Sequence, residues 1–441
     1  MRTITSLWRH QRIWLLLMLA SRLLLRSDAP AMDEDRTADT VRLSLPEAEN
    51  RFLRTNLQLL AGRFSIEAAR AQVIQAELWN NPNLSIEQNI YNPATRRALD
   101  FTPTGNTGVQ LQQLIVLAGK RSKQAAIAAV NSDIAENSFR DLLRALRLEL
   151  RTDFYDLYFL QQSLRFYDAS IPALKKTIGA TENIYQSRGI LLSEVLRLKS
   201  LLFSLEGERL DINNQIDGIQ TDLNILMHDT TNRDPYLIPE VPAGGLDTLD
   251  LRQISLDALV DSAMHHRPDY RTAQATIEAD EQNLALQQAM RSPDVTIGGL
   301  WSRQGSYIPD YFALTVAVDL PIFNRNQGNI EAAEATLAAD RLAAESARMK
   351  VRRDVKTAYD RARGADDLYR QADRTFPERY AALVQGTIDS YQKRNIGIIE
   401  FTDFYESYRT SMMGYFKLLG SRFDAIENLN YAVGTIVINS R

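Results

Sequence analysis

The sequence predicts a mainly α-helical fold with a small β part, in which a long coiled-coil helical hairpin occurs twice. Three observations carry this prediction. The second half of the chain repeats the first, each half contains two segments with the period-two patterning of strands, and each half ends in apolar heptads sustained over many turns. We expect the helices to stand side by side as an α-barrel and the four strands to form part of a β-barrel.

The duplication is visible in two short motifs. NPNLSI at 81–86 recurs as SPDVTI at 292–297, and YQSRGI at 185–190 recurs as YQKRNI at 391–396. We therefore expect a first repeat at 32–228, a linker or equatorial segment rich in Pro and Gly at 229–253, a second repeat at 254–433 and a C-terminal tail at 434–441. Within each repeat we expect a helix, a strand pair (82–116 and 293–320) and a long helical hairpin (120–228 and 327–433).

The first helix of each repeat is predicted at 46–79 and at 255–290, and each ends just before a proline. The strands that follow are about ten residues long, with apolar side chains on one face and polar or small ones on the other. Gln112-Gln113 breaks this alternation and predicts a β-bulge. In the hairpins, Pro172 and Pro377 are expected to kink the long helices at matching points.

The N-terminus has the order of a secretory signal peptide, predicted at 1–31. Three arginines precede an apolar run at 13–20, and Ala29-Pro30-Ala31 is a small-residue cleavage motif. The alternative is a disordered or mis-started N-terminus. The apolar run is shorter than the roughly 20 residues that a membrane-spanning helix requires.

Composition excludes several function classes. The chain has no cysteine, which removes thiolate catalysis and Cys-ligated metal centres, and only four histidines. Its net charge of −4 does not favour a nucleic-acid partner. No nucleophile–base pair, cofactor loop or metal-ligand spacing is present, so we expect neither an enzyme nor a bound cofactor or metal. Gly119-Lys120 is interpreted as a strand-to-helix turn, and the arginines of helix 120–187 as an exposed or inter-subunit face (Arg140, Arg144, Arg147, Arg151).

Strands of this length with one apolar face are suited to a membrane barrel, in which every backbone group must be paired. Four strands cannot close a barrel, because the smallest barrels use about eight. Three copies would supply twelve strands, which predicts a homotrimer with a 12-stranded transmembrane β-barrel in contact with outer-membrane lipid. Aromatic residues near the strand ends are expected at the membrane interfaces (Tyr91, Phe101, Trp301, Tyr307, Tyr311). The alternative is a soluble β-domain beside a coiled coil.

The duplicated order of helix, strand pair and hairpin resembles the outer membrane efflux (TolC) family, nearer its heavy-metal efflux members. YQSRGI at 185–190 and YQKRNI at 391–396 look like the helix-turn-helix tips of that family, and LPIF at 320–323 resembles its strand-exit segment. The resemblance implies a passive trimeric duct across the bacterial outer membrane and the periplasm. It also implies two partners, a periplasmic adaptor (membrane fusion protein) and an inner-membrane pump of the RND type.

The resemblance places functional residues at the hairpin tips. Gly189 suits a left-handed turn, and Asn395 occupies the equivalent position. Glu400 and Asp403 match positions that ring the periplasmic mouth in related channels, and Glu194 matches an acid in the first tip. Three copies of each would form a negative constriction that favours cations. Tyr391 and Arg394 are expected to contact Glu194 and hold the mouth closed. The remaining tip residues are the predicted adaptor-docking surface, together with Gly189 and Asn395 (Arg188, Ile190, Ile396).

Two other functions stay open from the sequence. A periplasmic adaptor also carries a helical hairpin, but one hairpin between soluble β-domains rather than two hairpins that each follow a strand pair. A soluble coiled-coil scaffold is the other alternative. The sequence does not distinguish metal ions from drugs or other solutes as the cargo.

Overall fold

The computed structural model describes residues 40–187, 189–228, 234–242, 251–305, 307–372 and 375–437. The predicted signal peptide, Arg188 and parts of the 229–253 segment lie outside these described residues. Apart from Thr40, every described residue belongs to one structural unit, Val41–Arg441.

Eighteen elements follow one another along the described residues. The first half contains β1 (Thr40–Ser44), α1 (Leu45–Thr55), α2 (Leu57–Glu77), β2 (Asn83–Gln88), β3 (Tyr91–Asn92), β4 (Arg97–Ala98), β5 (Asn106–Ile115), α3 (Lys120–Gln186) and α4 (Leu192–Met227). The second half contains β6 (Tyr236–Glu240), a short 3₁₀ turn (Leu251–Gln253), α5 (Leu256–His266), α6 (Pro268–Ala289), β7 (Val295–Gln304), β8 (Ile308–Val318), α7 (Gln327–Gln371), α8 (Phe376–Gln392) and α9 (Ile398–Val433).

The helix that opens each repeat is broken once, where the sequence predicts a single helix. Asn56 separates α1 from α2, and its buried side chain accepts a hydrogen bond from Leu59 N and donates one to Leu226 O at 2.9 Å each. Asn56 therefore caps α2 while tying it to the end of α4. In the second repeat the break falls at Arg267, where Pro268 disfavours helical geometry at the residue before it.

The helices form a layer in which neighbours pack along much of their length. α2, α3, α6 and α7 lie side by side in that order. Beyond them, α4 and α9 pack on α3, and α8 packs on α9. Tyr155 of α3 stacks on Phe423 of α9 with ring centroids 4.0 Å apart, so the apolar core joins the two repeats.

The prolines act differently in the two hairpins. Pro172 lies inside α3, which runs without interruption for 67 residues. In the second repeat α7 ends at Gln371, and Pro377 falls in the first turn of the separate helix α8. That position needs no backbone N–H donor, so proline fits it without cost. The two hairpins therefore differ at the matching positions: α3 continues past Pro172, whereas the second hairpin is interrupted just before Pro377.

One four-stranded sheet has the order β2–β5–β7–β8, with every neighbouring pair antiparallel. β2 has six residues rather than about ten, and the short β3–β4 pair fills the loop after it. The predicted bulge at Gln112-Gln113 is wrong, because both residues pair in unbroken register with β7. The irregularity lies instead between Ser302 and Gln304, opposite β8. A second sheet, β1–β6, is absent from the sequence-based prediction.

Candidate functional site

The outer face of the four-stranded sheet is apolar from edge to edge. Its rows run directly across the strands: Ile86, Val109, Trp301 and Phe312 form one, and Leu84, Leu111, Gly299 and Leu314 form the next. These side chains have little to pack against, since Phe312 and Leu314 are each 77% exposed. An apolar surface of this extent must be covered by another apolar phase.

The opposite face of the same sheet is mostly polar or small. Its rows are, in order, Asn83, Gln112, Gly298 and Thr315, then Ser85, Gln110, Leu300 and Ala313, then Glu87, Gly108, Ser302 and Tyr311. At Gly298 a Cβ would lie 2.7 Å from Thr315 Oγ1 and 2.8 Å from Gln112 Cγ, so the packing of this face requires glycine there. The two faces alternate residue by residue, as strands require, and separate an apolar surface from a polar one.

Both edges of this sheet are open within the described residues: β2 and β8 each have one strand neighbour. Because the sheet is antiparallel and contains four strands, β8 runs opposite to β2. The β2 of a second copy can therefore continue the ladder beside β8 without changing its pattern. Unpaired edges of this kind favour pairing with another chain.

The turn at Gly119-Lys120 joins the two repeats where the strands meet the helices. Lys120 is buried, and its Nζ donates to Ser292 O at 2.7 Å and to Asp294 Oδ1 at 2.8 Å. The backbone N–H of Leu117 donates to the same carboxylate oxygen at 2.9 Å. The interpretation of this motif as a strand-to-helix turn is therefore confirmed.

The two hairpin tips share one backbone motif at the far ends of the long helices. Gly189 N donates to Ile184 O at 3.0 Å, and Asn395 N donates to Ser390 O at 2.9 Å. These equivalent bonds each satisfy a carbonyl at the end of a helix, as in a Schellman cap.

The left-handed residue of the second tip is Arg394, with φ of 61°, rather than Asn395. Gly189 does not have a positive φ either, so the predicted reason for its identity is wrong. A Cβ at Gly189 would lie 2.7 Å from Arg394 Nη2 and 2.9 Å from Ile184 Cγ2. A side chain here would press on Ile184 of the same hairpin and would also displace the flexible guanidinium of Arg394 from the second tip.

The structure places the predicted gate acids near the start of the returning helices. Glu400 and Asp403 are exposed on α9, next to the buried Phe401 and Thr402, and Glu194 is half-buried in the first turn of α4. Tyr391 is buried and stacks on Phe401 with ring centroids 4.7 Å apart. Burial raises the pKa of Tyr391, a hydrogen bond from Thr181 opposes that shift, and the charge of Glu194 adds to it.

The contacts observed at the tips differ in detail from those expected to hold the mouth closed. Among the described residues, Arg394 forms no ion pair with Glu194 within the chain, and its guanidinium lies beside Gly189 instead. Ile190 and Asn395 lie at the tips, and Ile396 packs against the main core. The tips of the two repeats are thus in contact, and both acids on α9 remain available on its exposed face.

A link between the two hairpins was not apparent from the sequence. Arg409 Nη1 of α9 donates to Glu208 Oε1 of α4 at 2.7 Å, and Tyr167 of α3 donates to Glu208 Oε2 at 2.7 Å. Glu208 therefore connects three helices from both repeats. No periodicity predicts this contact, since the residues are separated by tens to hundreds of positions.

The arginines of α3, predicted to form an exposed or inter-subunit face, divide in the structure: Arg140 is exposed and Arg147 is partly exposed. Arg151 and the side chain of Arg144 are buried, and Arg151 binds Glu427 of α9 through two contacts of 2.9 and 2.8 Å.

In the part of the chain that the structure describes, no three His, Asp or Glu side chains are grouped as metal ligands. None of the described helices is apolar enough over sufficient length to span a bilayer.

Comparison with protein families gives a match to the second repeat. Residues 259–434 match the family model described as outer membrane efflux protein. The cobalt-zinc-cadmium resistance protein CzcC of Cupriavidus metallidurans is 21% identical over 390 residues, which cover 86% of this chain and 87% of the relative.

Solved structures of outer-membrane channels have the same fold. The CmeC channel of Campylobacter jejuni matches with a TM-score of 0.73 at 13% identity, over 90% of this chain and 87% of CmeC. CusC, whose transmembrane channel formation has been described crystallographically, matches with a TM-score of 0.71 at 16% identity, over 90% of this chain and 94% of CusC.

Proposed function

We propose that this chain, whose residues 259–434 match the family model of outer membrane efflux proteins, is one subunit of the exit duct of a tripartite efflux system. The duct would export small solutes or metal ions passively across the periplasm and the outer membrane. The observation that carries this proposal is the four-stranded sheet, with one apolar face, one polar face and two open edges.

A ring of three chains follows from the requirements of a sheet in lipid. The apolar face is suited to the hydrocarbon core, but the open edges at β2 and β8 would leave backbone groups unpaired there. Three copies give twelve strands, each β8 pairing with the next β2. The polar face then lines the lumen, and the long helices extend the duct into the periplasm.

The hairpin tips are the proposed mouth and docking surface. They lie at the end of α3 and α8, as far along the helices as possible from the sheet. An adaptor protein, linked to an RND-type pump in the inner membrane, would bind Arg188, Gly189, Ile190, Asn395 and Ile396. The first tip contacts the second where Gly189 lies beside Arg394, which supports a mouth in which each tip limits the movement of the other.

The proposed constriction is formed by Glu194, Glu400 and Asp403, with Tyr391 and Arg394 beside them. Glu400 and Asp403 lie three residues apart on the exposed side of α9, so they project from neighbouring positions on one face. In a trimer they would form a negatively charged ring that favours cations. The name of the CzcC relative favours divalent metal ions as the cargo.

Planar-bilayer conductance tests both the duct and its constriction. The reconstituted protein is expected to form cation-preferring pores, and Glu400→Gln with Asp403→Asn is expected to reduce that preference. Glu345→Gln removes an exposed acid from α7, away from both tips, and is the matched control. Pores with unchanged selectivity in the double variant would contradict the constriction, whereas absence of pores from the wild-type protein would contradict the duct.

A further inference from the structure

A cavity of about 240 Å³ lies where the two repeats meet, between α3, the end of α9 and the connection from α5 to α6. Its wall combines guanidinium groups with apolar side chains, including Arg140, Leu143, Arg147, Leu148, Pro268 and Ile436. Among the described residues, four arginines of α3 contribute to the wall, against a single carboxylate, Glu427. Nothing in the proposed duct uses this cavity.

Two of the four arginines are fully engaged by the protein. Arg151 donates to Glu49 at 2.7 Å and to both oxygens of Glu427 at 2.9 and 2.8 Å. Arg144 donates to Asp141 and to the carbonyl oxygen of Tyr431, and its guanidinium lies 4.2 Å from the centroid of that tyrosine ring. These contacts neutralise Glu427, so it does not oppose an anion in the cavity.

Arg147 is left with unused donors. Its side chain is 34% exposed, its Nε is enclosed on the side of Glu49, and none of its donors has a hydrogen-bond partner among the described residues. The nearest ion-paired oxygen, Glu49 Oε1, is 3.8 Å away and already accepts from Arg151 at 2.7 Å. The Arg147 guanidinium forms part of the cavity wall and carries donors that no described residue engages, so they are available to a group in the cavity.

We propose that this cavity binds a small organic anion, a carboxylate on a compact apolar body, with Arg147 as the principal contact. The guanidinium supplies adjacent donors that match a carboxylate. Leu143, Leu148 and Ile436 supply an apolar wall for the remainder of the ligand, as small-molecule sites commonly do. The site is independent of the proposed efflux function, since it depends only on contacts within one chain.

Isothermal titration calorimetry of the full chain in non-ionic detergent, at constant ionic strength, tests this proposal with benzoate as the probe. Benzamide, the neutral analogue of similar shape, is expected to bind about tenfold or more weakly. Arg147→Gln is expected to weaken the binding of benzoate by a similar factor, roughly tenfold or more. Arg165→Gln, an exposed arginine of the same helix that bonds only Gln162 at 3.5 Å, is the matched control and should bind as the wild type.

A second variant distinguishes loss of the Arg147 contact from misfolding of Arg147→Gln. Ile436→Trp would fill the cavity while keeping Arg147, and it is expected to abolish benzoate binding without lowering the thermal stability of the protein. Equal affinity for benzoate in the wild type and in Arg147→Gln would overturn the proposal. Absence of saturable benzoate binding by the wild type, or equal affinity for benzamide, would overturn it as well.

Discussion

The buried ion pair between Asp366 and Arg422 joins α7 to α9. Both side chains are at most 2% exposed, and Arg422 donates twice to Asp366 Oδ1, at 2.9 and 2.7 Å. Arg370 donates to the other carboxylate oxygen at 2.7 Å, and Arg422 lies 4.3 Å above the centroid of the Tyr369 ring. The carboxylate therefore compensates a guanidinium that has little access to water.

Asp366→Ala is expected to lower the free energy of unfolding by about 3–5 kcal/mol, because it leaves a buried charge uncompensated. Chemical denaturation of the detergent-solubilised protein measures this loss. Asp360→Ala on the same helix removes the exposed partner of Lys356 and is expected to cost about 1 kcal/mol or less. Similar losses in the two variants would contradict the assigned role of Asp366.

Asp424 makes stability depend on pH in a defined direction. Burial raises its pKa from 3.8 to about 7, and the neighbouring charges of Asp156, Asp153 and Glu427 add to the shift. As pH rises from 3.8 towards 7, the unfolded chain loses this proton while the folded chain keeps it. Stability contributed by this group is therefore present at low pH and is lost through that window.

Asp424→Asn is expected to raise the thermal midpoint more at about pH 8 than at about pH 4, because the amide stays neutral where the carboxylate ionises. Differential scanning fluorimetry at the two pH values measures the effect, and the low-pH sample is the internal control. An equal shift at both pH values would contradict the raised pKa.

At the tips, the sequence located the two turns but not the structural reason for each residue. The repeated YQ–R motif marks both turns correctly, because a duplicated loop keeps its cap. The glycine preference for left-handed geometry suggested Gly189, yet Arg394 carries the positive φ and Gly189 is small because of its neighbour. Close approach between two distant segments leaves no local pattern, so it required the structure.

At the scale of elements, the sheet makes a face-specific prediction. Leu314→Arg would place a charge on the apolar face, and it is expected to cost about 2–4 kcal/mol if that face lies near the bilayer midplane. Gln110→Arg changes the polar face instead and is the matched control. Quantifying the assembled protein in the outer-membrane fraction should show a marked loss for the first variant alone. Equal yields would contradict the assignment of the apolar face to lipid.

Periodicity predicted the long elements well and the short ones poorly. Alternation over β7 and β8 and heptads over α3, α4 and α9 extend far enough to dominate local preference. β1 and β6 have five residues each, and nearly the whole first repeat separates them along the sequence. Neither strand is therefore recognisable from its own sequence. The helix breaks at Asn56 and Arg267 depend on a tertiary contact and on a following proline, respectively.

For the whole molecule, the proposal that the chain completes a ring with other copies depends on two features of the fold. The sheet has an apolar face but open edges, and the helical layer likewise ends at α2 on one side and α7 on the other. The sequence alone leads to the same expectation of further strands, since barrel closure is a general requirement in lipid. Contacts such as Arg409–Glu208, which link the repeats within one chain, were not accessible from the sequence.

Native mass spectrometry of the detergent-solubilised protein tests this central proposal most directly. We predict a particle containing three copies of the chain, which requires detergent to remain in solution. A single 50.0 kDa chain, or a processed form of it, that stays monodisperse without detergent would contradict the account.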